Sequence, residues 1–161
     1  MQTAIIILGI CIFAVVAYGD IRTRRIPNEF IVAILGLAAV RIAVVGDPNA
    51  ALYTLAAGVA LFAATFLLFW RGFLGGGDVK LMTATGLLIG YHDFFQFLFV
   101  MSVSGALVAL AVLSRDKVGR RAVTAPNPED RETTARLTVP YGVAIAAAGI
   151  VTLLVQLFPP G

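Results

Sequence analysis

Six apolar stretches separated by short polar segments leave this chain little choice but a helical bundle embedded in lipid. They run over residues 1–19, 27–46, 51–70, 78–91, 94–113 and 139–158. Most approach the ~20 residues a helix needs to cross a ~30 Å hydrocarbon core. The fourth is shorter: about 14 residues at 1.5 Å each cover roughly 21 Å, so its first residue lies slightly inside the membrane face, where water still reaches. Hydrophobic residues make up 60% of the chain and charged residues 13%, far from the balance of a soluble domain. The reading is an all-α, polytopic membrane protein with six transmembrane helices. It forms a single transmembrane domain over 1–161, with a polar loop at about 114–138.

Charge placement orients the bundle. The segment after the first span holds Arg22, Arg24 and Arg25, and the one between the third and fourth holds Arg71, with Lys80 just beyond. The fifth and sixth spans are joined through Arg115, Lys117, Arg120, Arg121, Arg131 and Arg136. A six-span path puts all of these on one side, which the positive-inside rule makes cytoplasmic. Both termini then lie outside, in a multi-pass protein of the plasma (inner) membrane. Met1-Gln2-Thr3 carries no basic residue and no Ala-x-Ala site precedes the arginines, so the first span is expected to be retained rather than cleaved as a signal peptide. Arg41 is the one basic residue elsewhere and is expected to snorkel to the opposite interface. Fusing the fourth and fifth spans would invert the most basic loop; Gly90-Tyr91-His92-Asp93 offers a turn that avoids this. The net charge of +3 follows this sidedness, and no nucleic acid partner is expected. The single cysteine, Cys11, excludes a disulfide framework and a cysteine-based zinc site.

Two carboxylates stand out against this background. Asp20, in Tyr18-Gly19-Asp20, ends the first span, and Asp78, in Gly75-Gly76-Gly77-Asp78, begins the fourth. Both fall at the cytoplasmic face. A carboxylate near hydrocarbon costs about 2.5–3.5 kcal/mol on insertion scales, so each is a functional-site candidate. Alone, Asp20 would serve as an interfacial cap or an arginine partner. A pair at one depth suggests an acid and a base sharing a proton.

The flanking residues fit work at a membrane edge. Pro27, in Ile26-Pro27-Asn28, disfavours helix before it and suits the start of the second span. Gly75 and Gly77, around Gly76, allow close backbone approach and φ > 0, as an extended peptide substrate would require. Helix initiation near Asp78 aims amides at negative charge. Lys80 is first an interfacial anchor, and His92 a solvated loop residue.

Three segments in order, Asp20-Ile21-Arg22-Thr23-Arg24-Arg25-Ile26-Pro27-Asn28, Gly75-Gly76-Gly77-Asp78-Val79-Lys80-Leu81 and Val139-Pro140-Tyr141-Gly142, resemble those of the type IV prepilin peptidases. These are membrane aspartic proteases of the GxGD class. The resemblance implies Asp20 and Asp78 as the catalytic pair, Gly75 and Gly77 as motif glycines, and Pro27, Asn28 and Lys80 as motif support. It implies pilin-like precursors as partners, each with a basic leader ahead of a hydrophobic helix, cut at the cytoplasmic membrane face. It implies no cofactor and no metal. Longer members add a domain with paired CxxC motifs and methylate the product; this chain looks like the short, peptidase-only form of Tad-type pili and of archaeal preflagellin and prepilin peptidases.

Other readings use the same residues differently. A small transporter or channel would employ Asp20 and Asp78 as proton or cation sites, although no polar path continues across the chain. A structural assembly subunit would not need them. A presenilin-like protease shares GxGD, but the Pro-Ala-Leu motif is missing. Ala56, Ala60 and Ala64, and separately Gly142 and Ala146, recur at i+4 as expected for helix packing in lipid. Glu129, Asp130 and Glu132 could meet a basic leader, and a homo-oligomer is compatible with the composition.

Overall fold

The computed structural model describes residues 1–23, 26–122 and 141–158, and these form helices joined by short turns. In chain order they are α1 (Gln2–Thr23), α2 (Asn28–Val45), α3 (Pro48–Trp70), α4 (Gly76–Ile89), α5 (Phe94–Ala122) and α6 (Tyr141–Leu157). The all-α expectation holds, with one helix at each of the six apolar stretches. Four helices, α1, α2, α3 and α5, are long and apolar enough to cross a membrane, and α6 is a shorter apolar helix.

Turn chemistry sets the boundaries. Gly46 stops α2 in the left-handed region (φ 66), its N–H bonding back to the Ile42 carbonyl. Asp47 then caps α3, its carboxylate accepting from the Asn49 N–H at 2.9 Å while Pro48 occupies the first helical position. Gly90 (φ 84) ends α4, and the Tyr91 amide donates to Thr54 Oγ1 of α3 at 3.3 Å.

Helix α5 departs from its expected limit. It continues to Ala122, so the first part of the segment expected as a loop from 114 is helical. Ser114 to Ala122 contains no proline to end the helix. The acidic residues Glu129, Asp130 and Glu132 lie outside the described residues.

The short helix α4 runs through the middle of the bundle. It packs on α2, α3, α5 and α6, and buries Val79, Leu81, Met82, Ala84, Thr85, Gly86, Leu88 and Ile89. Being wrapped by protein, it need not match the bilayer in length. Its last carbonyls, which no helical amide reaches, are met by neighbours. Arg41 of α2 donates from Nη1 to the Leu88 carbonyl at 2.5 Å, and Gln156 of α6 donates from Nε2 to the Ile89 carbonyl at 3.0 Å. Arg41 therefore turns into the bundle rather than outward to an interface. His92 is exposed, as expected, and its ring lies 4.0 Å from that of Tyr91.

Small residues bring the helices together, but not the expected ones on α3. Ala56, Ala60 and Ala64 are exposed; the buried stripe is Thr54, Gly58, Leu61 and Thr65. A side chain on Gly58 would run into Leu87 of α4, so the contact face was set by the one glycine rather than by the alanine repeat. On α6 the expected pair is buried: Ala146 is inaccessible, and Gly142 and Gly149 face α1. A Cβ on Gly149 would stand 2.8 Å from the fully buried Phe13 ring.

Candidate active site

Both aspartates lie at the same end of the bundle, where the last turn of α1 meets the first turns of α4 and α6. The first helix runs one turn past its apolar stretch. Thr23 Oγ1 donates to the Gly19 carbonyl at 3.0 Å, and Asp20 becomes a buried helical residue, 5% exposed. Its Oδ2 accepts the backbone N–H of Val143, in the first turn of α6, at 3.1 Å. Asp20 thus caps a helix that begins far along the chain, and a helix N-terminus is a natural seat for a carboxylate. A Cβ on Gly142 would come within 2.7 Å of the same oxygen and 2.8 Å of Cγ. Gly142 is expected to serve helix packing, and its packing partner is the carboxylate itself.

Asp78 is seated in a parallel way on its own helix. Gly75 is the N-cap of α4 (φ −79, ψ 145), and Asp78, three residues on in the first turn, has its carboxylate folded back beside the Gly75 backbone. This is the helix position from which a side chain reaches back in a capping box. A Cβ on Gly75 would stand 2.9 Å from Asp78 Oδ2. The carboxylate is half-buried and lies within electrostatic reach of Asp20.

The glycine run differs from its expected form. Gly76 and Gly77 already belong to α4, and Gly75 is extended, so none of the three uses the left-handed region. The glycine with positive φ is Gly72 (φ 78), in the turn before them. Gly75 is needed for room beside a carboxylate, whereas a Cβ on Gly77 would make only ordinary contact, 3.8 Å from Ile26.

Ile26 joins the two seats. Its Cδ1 lies 3.1 Å from where a Gly142 Cβ would be and 3.8 Å from that of Gly77, filling the space between α6 and α4 beside the aspartates. Pro27, exposed, follows as the N-cap of α2 (φ −60, ψ 137). Asn28, at the start of α2, accepts from Lys80 Nζ at 3.4 Å. Lys80 is two residues from Asp78, and side chains at that spacing do not share a helix face. It links α4 to α2 rather than pointing into the pair. Of the third sequence segment, Tyr141 and Gly142 are described, and Val139 and Pro140 lie outside the described residues.

Chemically, two carboxylates at one end of a lipid-facing bundle, each at a helix N-terminus and set against a glycine, can hold one proton between them. Such a pair can activate water.

Comparison with known proteins gives the family. The family model described as type IV leader peptidase family matches residues 7–110, which include both aspartates, Gly75 and Gly77. A protein of Bacillus subtilis (strain 168) named prepilin leader peptidase/N-methyltransferase is 33% identical over 150 residues, 92% of this chain and 54% of that protein. The chain therefore spans about half the length of this curated relative. No solved structure matches it. With the match covering more than half of its residues, this helical membrane protein belongs to the type IV leader peptidase family.

Proposed function

We propose that the chain is an aspartic endopeptidase of the GxGD type that removes the basic leader from pilin-like precursors, with Asp20 and Asp78 as its catalytic pair. The observation that carries this is the meeting of the two carboxylates at one end of the bundle, Asp20 on the Val143 amide and Asp78 in the first turn of α4 against Gly75. The name of the Bacillus subtilis relative, a prepilin leader peptidase, supports the substrate class.

The chemistry follows from two close carboxylates, which do not both ionise readily. The ionised member takes a proton from a water between them, and the resulting hydroxide attacks the scissile carbonyl carbon. The protonated member donates to the carbonyl oxygen, giving a tetrahedral gem-diol. Collapse breaks the C–N bond as a proton passes to the leaving amine. The proton belongs to the pair, so acid and base are roles of the dyad rather than of one residue. By the positive-inside rule, the arginines and lysines between the first and second, third and fourth, and fifth and sixth spans support a cytoplasmic position for this end of the bundle. A basic leader stays on that side while the hydrophobic helix behind it enters the bilayer, so the bond between them arrives at the aspartates.

The test is the purified protein in liposomes with a pilin-like precursor. We expect one cut between leader and hydrophobic helix, located by mass spectrometry of the product. A precursor left whole, together with ion flux that depends on Asp20 and Asp78, would replace this reading with transport.

A further inference from the structure

An apolar groove of about 410 Å³ opens beside the aspartates, between the end of α3 and the middle of α5. Met82 of α4 and Ala144 and Ile145 of α6 line it, with Leu68 on one side and Gly105 and Ala106 on the other. We propose that this groove receives the first turns of the precursor's hydrophobic helix and so sets the scissile bond against the aspartates. The inference rests on the peptidase reading and adds the place where the substrate docks.

Three observations support that occupant. The first is continuity with the site. Leu74 and Tyr141 also line the groove, and they are the immediate neighbours of Gly75 and Gly142, the glycines that lie against the two carboxylates. A segment filling the groove therefore ends at the pair. Met82 is about one turn beyond Asp78 on α4 and Ile145 about one turn into α6, so the groove occupies the depth just below the proposed cut.

The second is the face that α5 presents. Ser102, Gly105, Ala106 and Ala109 line the groove at i, i+3, i+4 and i+7, one stripe along about two turns of helix. Gly105 has nothing within 4 Å of where a Cβ would stand, and its backbone is not left-handed. Neither its conformation nor this chain's own packing calls for glycine, which costs about 1 kcal/mol against alanine inside a helix. Gly19 and Gly36 are equally open, but neither lines the groove. Small residues in lipid let a second helix come close.

The third is that, among the described residues, little covers α5. Of the helices long enough to cross a membrane it is the least buried. It packs chiefly on α6 and touches α4 lightly. Ser102 is the polar side chain along its stripe, and its hydroxyl is already satisfied by the Leu98 carbonyl. The surface suits a helix held by packing rather than by polar contacts.

Two measurements on the full chain in lipid test the proposal. Gly105→Leu and Ala106→Leu should each lower kcat/KM for the precursor by about tenfold or more, mainly through KM. Leu107→Phe, on the exposed outer face of α5, should leave it unchanged. Separately, a photoreactive residue at position 106 of the Asp78→Asn protein should crosslink to the precursor's hydrophobic helix, and one at position 107 should not. Unimpaired cleavage by both leucine variants, or crosslinks from 106 to lipid or to a second copy of this chain only, would overturn the docking groove. If the unaltered protein fails to cut the precursor, the peptidase reading itself falls; cutting that ignores the groove overturns the groove alone.

Discussion

Gly142 leaves room for Asp20: a methyl group on the glycine would come within 2.7 Å of the carboxylate oxygen that accepts the Val143 amide at 3.1 Å. The start of α6 and the end of α1 are thus joined through a carboxylate that no apolar pattern would place there. Gly142→Ala should push Asp20 off its seat. We expect precursor cleavage to fall by about tenfold or more, with the helical content by circular dichroism retained. A fully active Gly142→Ala enzyme would show that the position of Asp20 is not tightly held.

The two motif glycines should respond differently. A Cβ on Gly75 would stand 2.9 Å from Asp78 Oδ2, whereas one on Gly77 would make an ordinary contact with Ile26 at 3.8 Å. Gly75→Ala is therefore expected to lose most activity and Gly77→Ala to keep most of it. The larger Gly77→Val would press on Ile26 and lose more. Equal losses for the two alanine variants would mean that Gly77 serves the substrate rather than the fold.

Much of the architecture was legible because lipid imposes a simple rule on sequence. Apolar stretches marked each of the described helices, whereas the stop, cap and start at Gly46-Asp47-Pro48, which begin α3 three residues before the expected 51, came from the structure. The aspartates were legible as charges set against hydrocarbon. What was not legible came from contacts between distant segments. Nothing local in Tyr141-Gly142-Val143 says that its amide will receive Asp20, and nothing in the alanines of α3 says that Gly58 will choose the contact face instead. Arg41 was read from its charge alone, whereas its direction was decided by an orphan carbonyl on α4. Ile26 was visible only as part of a motif; its place between Gly142 and Gly77 needed the fold.

That orphan carbonyl gives a prediction about stability. Arg41 and Gln156 hold the Leu88 and Ile89 carbonyls at the far end of the helix that carries Asp78. Arg41→Met and Gln156→Leu should each destabilise the bundle by about 1–3 kcal/mol, the cost of leaving a buried carbonyl unpaired. Denaturation in mixed micelles measures this. Unchanged stability in both variants would mean that water takes over the two carbonyls.

Sidedness is open to labelling. After replacement of Cys11, a cysteine at position 72 should react only from the cytoplasmic side and one at position 49 only from outside. The reverse pattern would put the aspartates on the wrong face for a precursor whose leader stays in the cytoplasm.

The most direct measurement is cleavage of a pilin-like precursor by Asp20→Asn and Asp78→Asn proteins that insert and fold normally. Asparagine keeps the shape of each side chain but cannot pass the proton. We expect either substitution to abolish the cut product. Cleavage at the unaltered rate by either variant would contradict the dyad.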